Sequence, residues 1–483
     1  TRNVYETSTN HYNKILKENI TKTYKVAETN VLEDINCELK SLANDLSIGD
    51  RVETMTTNEA FVTFKDHKEN YETNPKYRLL NPAKSELGKI SKTILDDINT
   101  AIRIKTNVNQ WKNSLSVIYW FNNIKNKYKH SFISFDIAEF YPSITEDLLN
   151  RAILLAQQYV SISEQHISII KHARKSLLFN GGKTWVKRQG NTTFDVTMGS
   201  YDGAEVCELV GLFILNSLAR EYGNNNVGLY RDDGLILLTG TSNRLADKAR
   251  KNLHTLFESF QLKITAEISH QKVNFLDLTL NLKENSYRPY RKPNNDPLFI
   301  DSRSNHPPAI IKQIPSSVNK RLSQLSSDRN AFSTSAPFYE DALHRSNYDT
   351  KLEYDQNTKK SCKRRQRNII WFNPPYSKNV KTNVGKNFLN LIDKHFPVSH
   401  PLHKLFNRNS VKVSYSCMDN CKTVISKHNL KVLSNNSITA VSAPDVNQCN
   451  CRKPKECPLQ NRCLLKNVVY KAHVKTNGGN TKD

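Results

Sequence analysis

Two stretches decide the reading: SFISFDIAEFYPSI at residues 131–144 and VGLYRDDGLILL at residues 227–238. The first opens with an apolar run that fits a buried strand, ended by Pro142. The second is two apolar runs joined by a D-G turn, a short-range hairpin signal. Asp136 therefore falls at the end of one strand, and Asp232 and Asp233 fall in a hairpin turn. With the strands side by side, the three carboxylates converge on a rigid sheet. Like charges at one spot repel unless cations neutralise them, and hard oxygen ligands with open positions suit Mg²⁺. Two such ions about 3.5–4 Å apart clamp the attacking and leaving oxygens of an in-line phosphoryl displacement, the chemistry of nucleotidyl transfer. Taken alone, D-D-G is also a common turn sequence. The order of the surrounding elements carries the weight.

Working outward, residues 5–50 read as polar helix, FVTF (61–64) and KYRLLNP (76–82) as short strands, and 85–129 as mainly helical. The helical pattern returns over 143–178, with Thr145 as N-cap of EDLLNRAILLA. Gly181, Gly182 and Gly190 suggest a hairpin carrying KTWVKRQ and TTFDVTM. Val206, Leu209, Val210, Phe213 and Ile214 follow helical spacing. Residues 243–260 read as a helix, and VNFLDLTLNL (273–282) alternates like one strand. Beyond 285 come Pro- and Asn-rich stretches, a helical piece near 316–326, and the basic block KRRQR at 363–367.

The 483 residues suggest two to four domains, and no apolar run is long enough for a membrane span. The chain opens at Thr1 without an initiator Met or signal-peptide pattern, which reads as a fragment of something longer. The net charge of +24 is lopsided. Residues 1–285 hold 36 basic and 33 acidic side chains, and residues 286–483 hold 34 and 13. A near-neutral first part with a basic second part fits a polyanion-binding module joined to a folded domain; a solvated surface is the plainer reading. Arg364, Arg365 and Arg367 of KRRQR, with Arg288, Arg291, Lys292, Lys320 and Arg321, fit phosphate contacts that set affinity without reading sequence.

Nine cysteines, an odd number with no secretion signal, point to an intracellular reducing compartment. Cys207 lies in an apolar helical pattern, where a free thiol packs as a small hydrophobe. Cys449, Cys451, Cys457 and Cys463 form C-x-C-x5-C-x5-C, four thiolates that suit tetrahedral Zn²⁺. Cys417, Cys421 and His428 are further candidate ligands, and the spacing is not that of the common paired fingers. Reduced cysteines packing a small domain is the other reading. There is no G-x-x-x-x-G-K-[ST], H-E-x-x-H or G-x-G-x-x-G, so ATPase, zincin and dinucleotide-binding readings have no support.

In this order the segments resemble the palm motifs of a reverse transcriptase. FDIAEFYPSI is similar to the first motif, which makes Asp136 the metal-binding carboxylate and Tyr141 the aromatic under the incoming sugar that excludes a 2′-hydroxyl. MGSYDGAEVCELVGLFIL (198–215) resembles the second, with Gly199 letting the backbone approach template and nucleotide. YRDDG resembles the third, with Arg231 where many members have a small or apolar residue. KDHK (65–68) and KYRLLNP resemble the fingers, which gives Lys65 and Arg78 to the triphosphate. LKIT (262–265) makes Lys263 a candidate proton donor to pyrophosphate.

FVTFKDHK, MGSYDGAEVCELVG, LYRDDG, VNFLDLTLNL and the terminal CNCRKPKECPLQNRCLLKNVVYKA together resemble the Penelope-like retroelement polyprotein, whose reverse transcriptase is related to telomerase. In that family the Cys-rich segment leads into a GIY-YIG endonuclease. Here VVY (468–470) stands for the first half of that motif and no YIG follows, so the nuclease is not assigned to this chain.

The resemblance implies an α+β right-hand polymerase: an N-terminal helical segment (1–60), fingers and palm (61–285), a basic thumb-like region (286–400) and a small Cys-rich module (401–483). The expected activity is RNA-directed DNA polymerase, with two Mg²⁺, an RNA template, a DNA primer or target and dNTPs as partners, at an intracellular, nuclear location. An RNA-dependent RNA polymerase shares the acidic palm, though Tyr141 argues against it. A catalytically idle nucleic-acid-binding protein is the rival from another class.

Overall fold

The computed structural model describes residues 5–28, 30–50, 52–65, 71, 73–190, 192–240, 242–292, 296–356, 368–434, 457, 474–475 and 481–482. Arg364, Arg365, Arg367, Cys449, Cys451 and Cys463 lie outside the described residues.

The expected helix over 5–50 is two helices, α1 (Thr9–Thr23) and α2 (Val31–Asp45), separated by strand β1 (Tyr24–Val26). Strands β2 (Phe61–Phe64) and β3 (Tyr77–Leu80) pair as an antiparallel hairpin. Helix α3 (Leu87–Thr106), strand β4 (Asn109–Gln110) and helix α4 (Ser114–Asn123) lead into strand β5 (His130–Ile137). The short helix α5 (Phe140–Ser143) is followed by α6 (Glu146–Gln157), where Thr145 accepts from the Leu148 N–H at 3.2 Å as the sequence predicts, and by α7 (Glu164–His172).

Strands β6 (Leu178–Asn180) and β7 (Lys183–Lys187) form a hairpin whose turn is Gly181-Gly182, both at positive φ. KTWVKRQ therefore pairs with the residues before it and with β1, and meets TTFDVTM across the Gly190 turn through the Lys187 N–H, which donates to the Thr192 carbonyl at 3.0 Å, without a strand ladder. Next come α8 (Gly203–Tyr222), β8 (Val227–Tyr230), β9 (Asp233–Thr239), α9 (Asn243–Glu258) and β10 (Ile264–Ser269). The stretch 273–282 is two strands, β11 (Lys272–Phe275) and β12 (Leu278–Asn281), turned at Leu276 with φ +54° and joined by β13 (Ser286–Pro289). The border expected after residue 285 thus falls inside a three-stranded sheet. Helices α10 (Pro308–Gln324) and α11 (Arg329–Arg345) pack on each other beyond it. Further on, β14 (Ile370–Phe372) and β15 (Pro375–Tyr376) pair in parallel with β16 (Val411–Val413) and β17 (Ser416–Cys417), around helix α12 (Val384–His395) and ahead of α13 (Cys421–Ser434).

The centre of the molecule is a five-stranded sheet in the order β10-β5-β9-β8-β4. Its two faces follow from the period-2 alternation of strand side chains. Ile133, Phe135 and Ile137 of β5 and Ile236 of β9 face one core, built with α3, α6, α8 and α9. Phe132, Leu235 and Leu237 face a second core made by α4 and the β11–β12–β13 sheet. Helix α8 is buried almost all round, from Val206 to Leu218, as its apolar composition requires. By the same alternation Asp136 and Asp233 stand on the second face, at the end where its apolar cover stops.

Candidate active site

Pairing of β5 with β9 brings the acids together. Asp136 and Asp233 are direct cross-strand partners, one step beyond the Phe135–Gly234 pair. The hairpin turn is not D-G. Tyr230 pairs with Asp233, so the turn is Arg231-Asp232, with Arg231 at φ +56°. Gly234 lies inside the strand for a different reason. A Cβ there would come within 1.9 Å of the Phe135 ring. Asp232 is fixed at the strand end through its carbonyl, which accepts from the Ile137 N–H at 3.0 Å.

Burial first, then the charges of Asp232 and Asp136, push the Asp233 carboxyl up to about 6, while Lys292 opposes the rise. That is the electrostatic signature of three carboxylates sharing one small region. A divalent cation would relieve it, and an all-oxygen donor set suits Mg²⁺. Among the described residues, however, no three His, Cys, Asp or Glu side chains are drawn tightly enough to ligate a single ion. The backbone register brings the three acids to one strand end.

Asp136 and Asp233 open into a cavity of about 610 Å³ between the central sheet, the β11–β12 turn and α10, reaching Asn274, Lys292 and Arg321. Lys65, Arg78, Tyr141, Gly199 and Lys263 do not line it. Arg321 is ion-paired with Asp277 of the turn, which also accepts from Ser114 Oγ at 3.2 Å. Arg291 lies 3.9 Å over the Phe338 ring and pairs with Asp296 at 2.9 Å. Both arginines thus have partners within the chain, in exposed pairs that contribute little to stability.

Tyr141, half-buried, sits near Asp232 and packs on the α8 core, away from the cavity. Its phenol is pushed up to about 12 by burial and by the neighbouring Cys207 and Asp232, against the pull of Arg231. Burial also raises the Cys207 thiol, so it is a neutral packing group. Tyr141 backs onto the first residue of α8: its ring carbon lies 3.7 Å from where a Gly203 Cβ would stand. Before that helix, Asp202 is fully buried, ion-paired with Arg174 and accepting from Ser91 Oγ at 2.5 Å.

Gly199 has φ +123°, and a Cβ there would meet the Asn81 carbonyl oxygen at 2.7 Å. The backbone that approaches Gly199 closely is thus that of Asn81, just past β3. Asn81 in turn donates to the Leu177 carbonyl at 2.9 Å. Lys65 and Arg78 are on the separate β2–β3 hairpin, where the Lys65 N–H donates to the Lys76 carbonyl at 2.8 Å. Lys263 is exposed just before β10, and its carbonyl accepts from Ala138, two residues beyond Asp136, at 2.8 Å. Of the candidate ligand cysteines, Cys417 and Cys421 are exposed and Cys457 is partly covered.

Sequence reasoning missed Asn81, Arg174, Asp202 and Asp277. Each is a polar residue whose partner lies far along the chain. Only the DG of MGSYDG, just before a helical pattern, hinted at one of them.

No protein-family model and no curated protein matches the chain. Among solved structures it is similar to telomerase from Candida albicans in complex with a TWJ fragment of telomeric RNA, with 9% identity over 69% of this chain and 57% of that one and a TM-score of 0.44. The corresponding telomerase from Candida tropicalis has 14% identity over 69% and 57%, with a TM-score of 0.41. The RNA-dependent RNA polymerase of a human picorbirnavirus has 11% identity over 59% and 60%, with a TM-score of 0.39. The chain spans less than two thirds of the length of these polymerase chains.

Proposed function

We propose that the chain is an RNA-directed DNA polymerase of a Penelope-like retroelement, extending a primer 3′-hydroxyl with dNTPs. The observation that carries this reading is the register of the central sheet, which sets Asp136 opposite Asp233 beside a cavity of about 610 Å³, with Asp232 at the adjoining turn. Asp136, Asp232 and Asp233 would hold two Mg²⁺, which supply charge neutralisation to the attacking and leaving oxygens.

The remaining roles belong to the protein's own groups. Tyr141 presents a neutral ring, backed by Gly203, to the space a 2′-hydroxyl needs. Lys65 and Arg78 take the triphosphate, and Lys263 gives its proton to the departing pyrophosphate. Gly199, ahead of α8, lets the backbone approach template and nucleotide. Arg364, Arg365 and Arg367 grip the primer–template backbone, and Cys449, Cys451, Cys457 and Cys463 would hold Zn²⁺. This work on a genomic target takes place in the nucleus.

The test is primer extension on an RNA template with Mg²⁺, omitting each dNTP in turn. Synthesis should stop at the template position matching the missing nucleotide, and Asp136→Asn or Asp232→Asn should lower extension by roughly three orders of magnitude or more while duplex binding persists. Extension with ribonucleotides in preference to dNTPs would favour an RNA polymerase. Binding without any extension by the parent chain would leave an idle nucleic-acid-binding protein.

A further inference from the structure

The reaction scheme leaves out a buried polar cluster beneath the Tyr141 turn. Asp195, 3% exposed, lies between Phe194 and Val196 of the main core. Its carboxylate accepts from the Tyr24 hydroxyl at 2.6 Å and is ion-paired with Lys187 Nζ at 2.6 Å. Tyr24 of β1 and Lys187 of β7 are direct cross-strand partners, so the strand pairing aims both side chains at one acid. Lys187 has a second contact: its Nζ donates to the carbonyl of Pro142 at 3.1 Å. Pro142 immediately follows Tyr141 within α5. The Asp195 N–H donates to the Arg174 carbonyl at 3.0 Å, and Arg174 is the partner of Asp202 at the start of α8.

Resting on the polymerase reading, we infer that Lys187, held by Asp195 and Tyr24, is a positioning residue for sugar selection that acts through the turn carrying Tyr141. The chemistry is simple. A buried carboxylate needs its charge and lone pairs satisfied. From one sheet edge, Tyr24 satisfies one oxygen by a hydrogen bond and Lys187 opposes the charge as an ion pair at the other. Lys187 spends a remaining donor on the backbone of the turn that carries the Tyr141 ring. A charge-assisted hydrogen bond to a main-chain carbonyl fixes that turn more firmly than a neutral one. A ring that excludes a single hydroxyl must be held to within a fraction of an ångström, and α5 is only four residues long. The purely structural alternative is a pair that only fastens β1 and β7 to the core.

The experiment compares kcat/KM for a dNTP and its matching rNTP in primer extension by the full chain. Lys187→Met keeps the stem and removes both contacts of the cation. It should lower dNTP-over-rNTP discrimination by about ten-fold, the worth of one charge-assisted hydrogen bond, with kcat for the dNTP changed less than about three-fold. Lys187→Arg should restore discrimination to near the parent value. Tyr24→Phe removes one hydroxyl and no charge, and should give a fall of about three-fold by the same route. Unchanged discrimination in a folded Lys187→Met chain, or in Tyr24→Phe where Lys187→Met does not fold, overturns the inference and leaves the polymerase reading standing. A parent chain that extends with neither nucleotide overturns both.

Discussion

Replacing Gly234 by alanine is expected to destabilise the protein by about 1–3 kcal/mol, the usual range for forcing one extra carbon into a packed core. The new Cβ would lie 1.9 Å from Phe135 Cζ and 2.3 and 2.4 Å from the two Cε atoms. Carbon contacts are ordinarily near 3.5–4.0 Å, so the ring must retreat by well over an ångström. It has little room, being 4% exposed and packed against Phe257 at 5.3 Å between centroids. The lower freedom of alanine in the unfolded chain offsets about 0.4–1 kcal/mol of the cost. Urea unfolding measures the result, in a double-mutant cycle with Phe135→Leu. In the Phe135→Leu background the added methyl should cost at least ~1 kcal/mol less, because the atoms it collides with are gone. A Gly234→Ala chain as stable as the parent, or costs that simply add, would refute the claim that this glycine exists to seat Phe135. Since the Phe135–Gly234 pair directly precedes Asp136–Asp233, the same variant should also weaken Mg²⁺-dependent extension.

Three further outcomes are expected. Asp233 is held near 6 when folded, above its ordinary value, so its charge costs stability at every pH above about 6 and the cost fades as pH falls toward 4. Asp233→Asn should therefore stabilise the metal-free protein at pH 7.5 by roughly 1–2 kcal/mol after allowance for solvent screening, with no gain at pH 4, as read by unfolding in EDTA. Tyr141→Val should admit ribonucleotides, and an unchanged ratio of rNTP to dNTP incorporation would remove Tyr141 from sugar selection. Neutralising Arg364, Arg365 and Arg367 together should weaken duplex binding alike for all sequences and make its log–log salt dependence shallower; an unchanged slope would mean a solvated basic block.

Several local features were legible in the sequence because their causes are local. The apolar runs around Asp136 and Asp233 became β5 and β9, Thr145 capped α6, and the spacing from Val206 to Ile214 gave α8. That the three acids belong together was legible only through motif order, since nothing within either segment states that β5 pairs with β9. Register did the rest: a slip of one residue would have turned Asp136 from the open face into the core.

The identity and chemistry of the acids, and the strands that carry them, are written in local sequence. Tertiary structure decided which glycine made the turn and which made room for a ring. It also split 273–282 into a hairpin and joined KTWVKRQ to β1, 160 residues or so earlier. Finally, it placed Asp195 under Tyr24 and Lys187, and Asp202 against Arg174 and Ser91. The physical reason is common to all of these. A hydrophobic period or a cap is set by neighbours three or four residues away. The partner of a buried charge and the space left for a side chain are set by chain segments that meet only when the core closes.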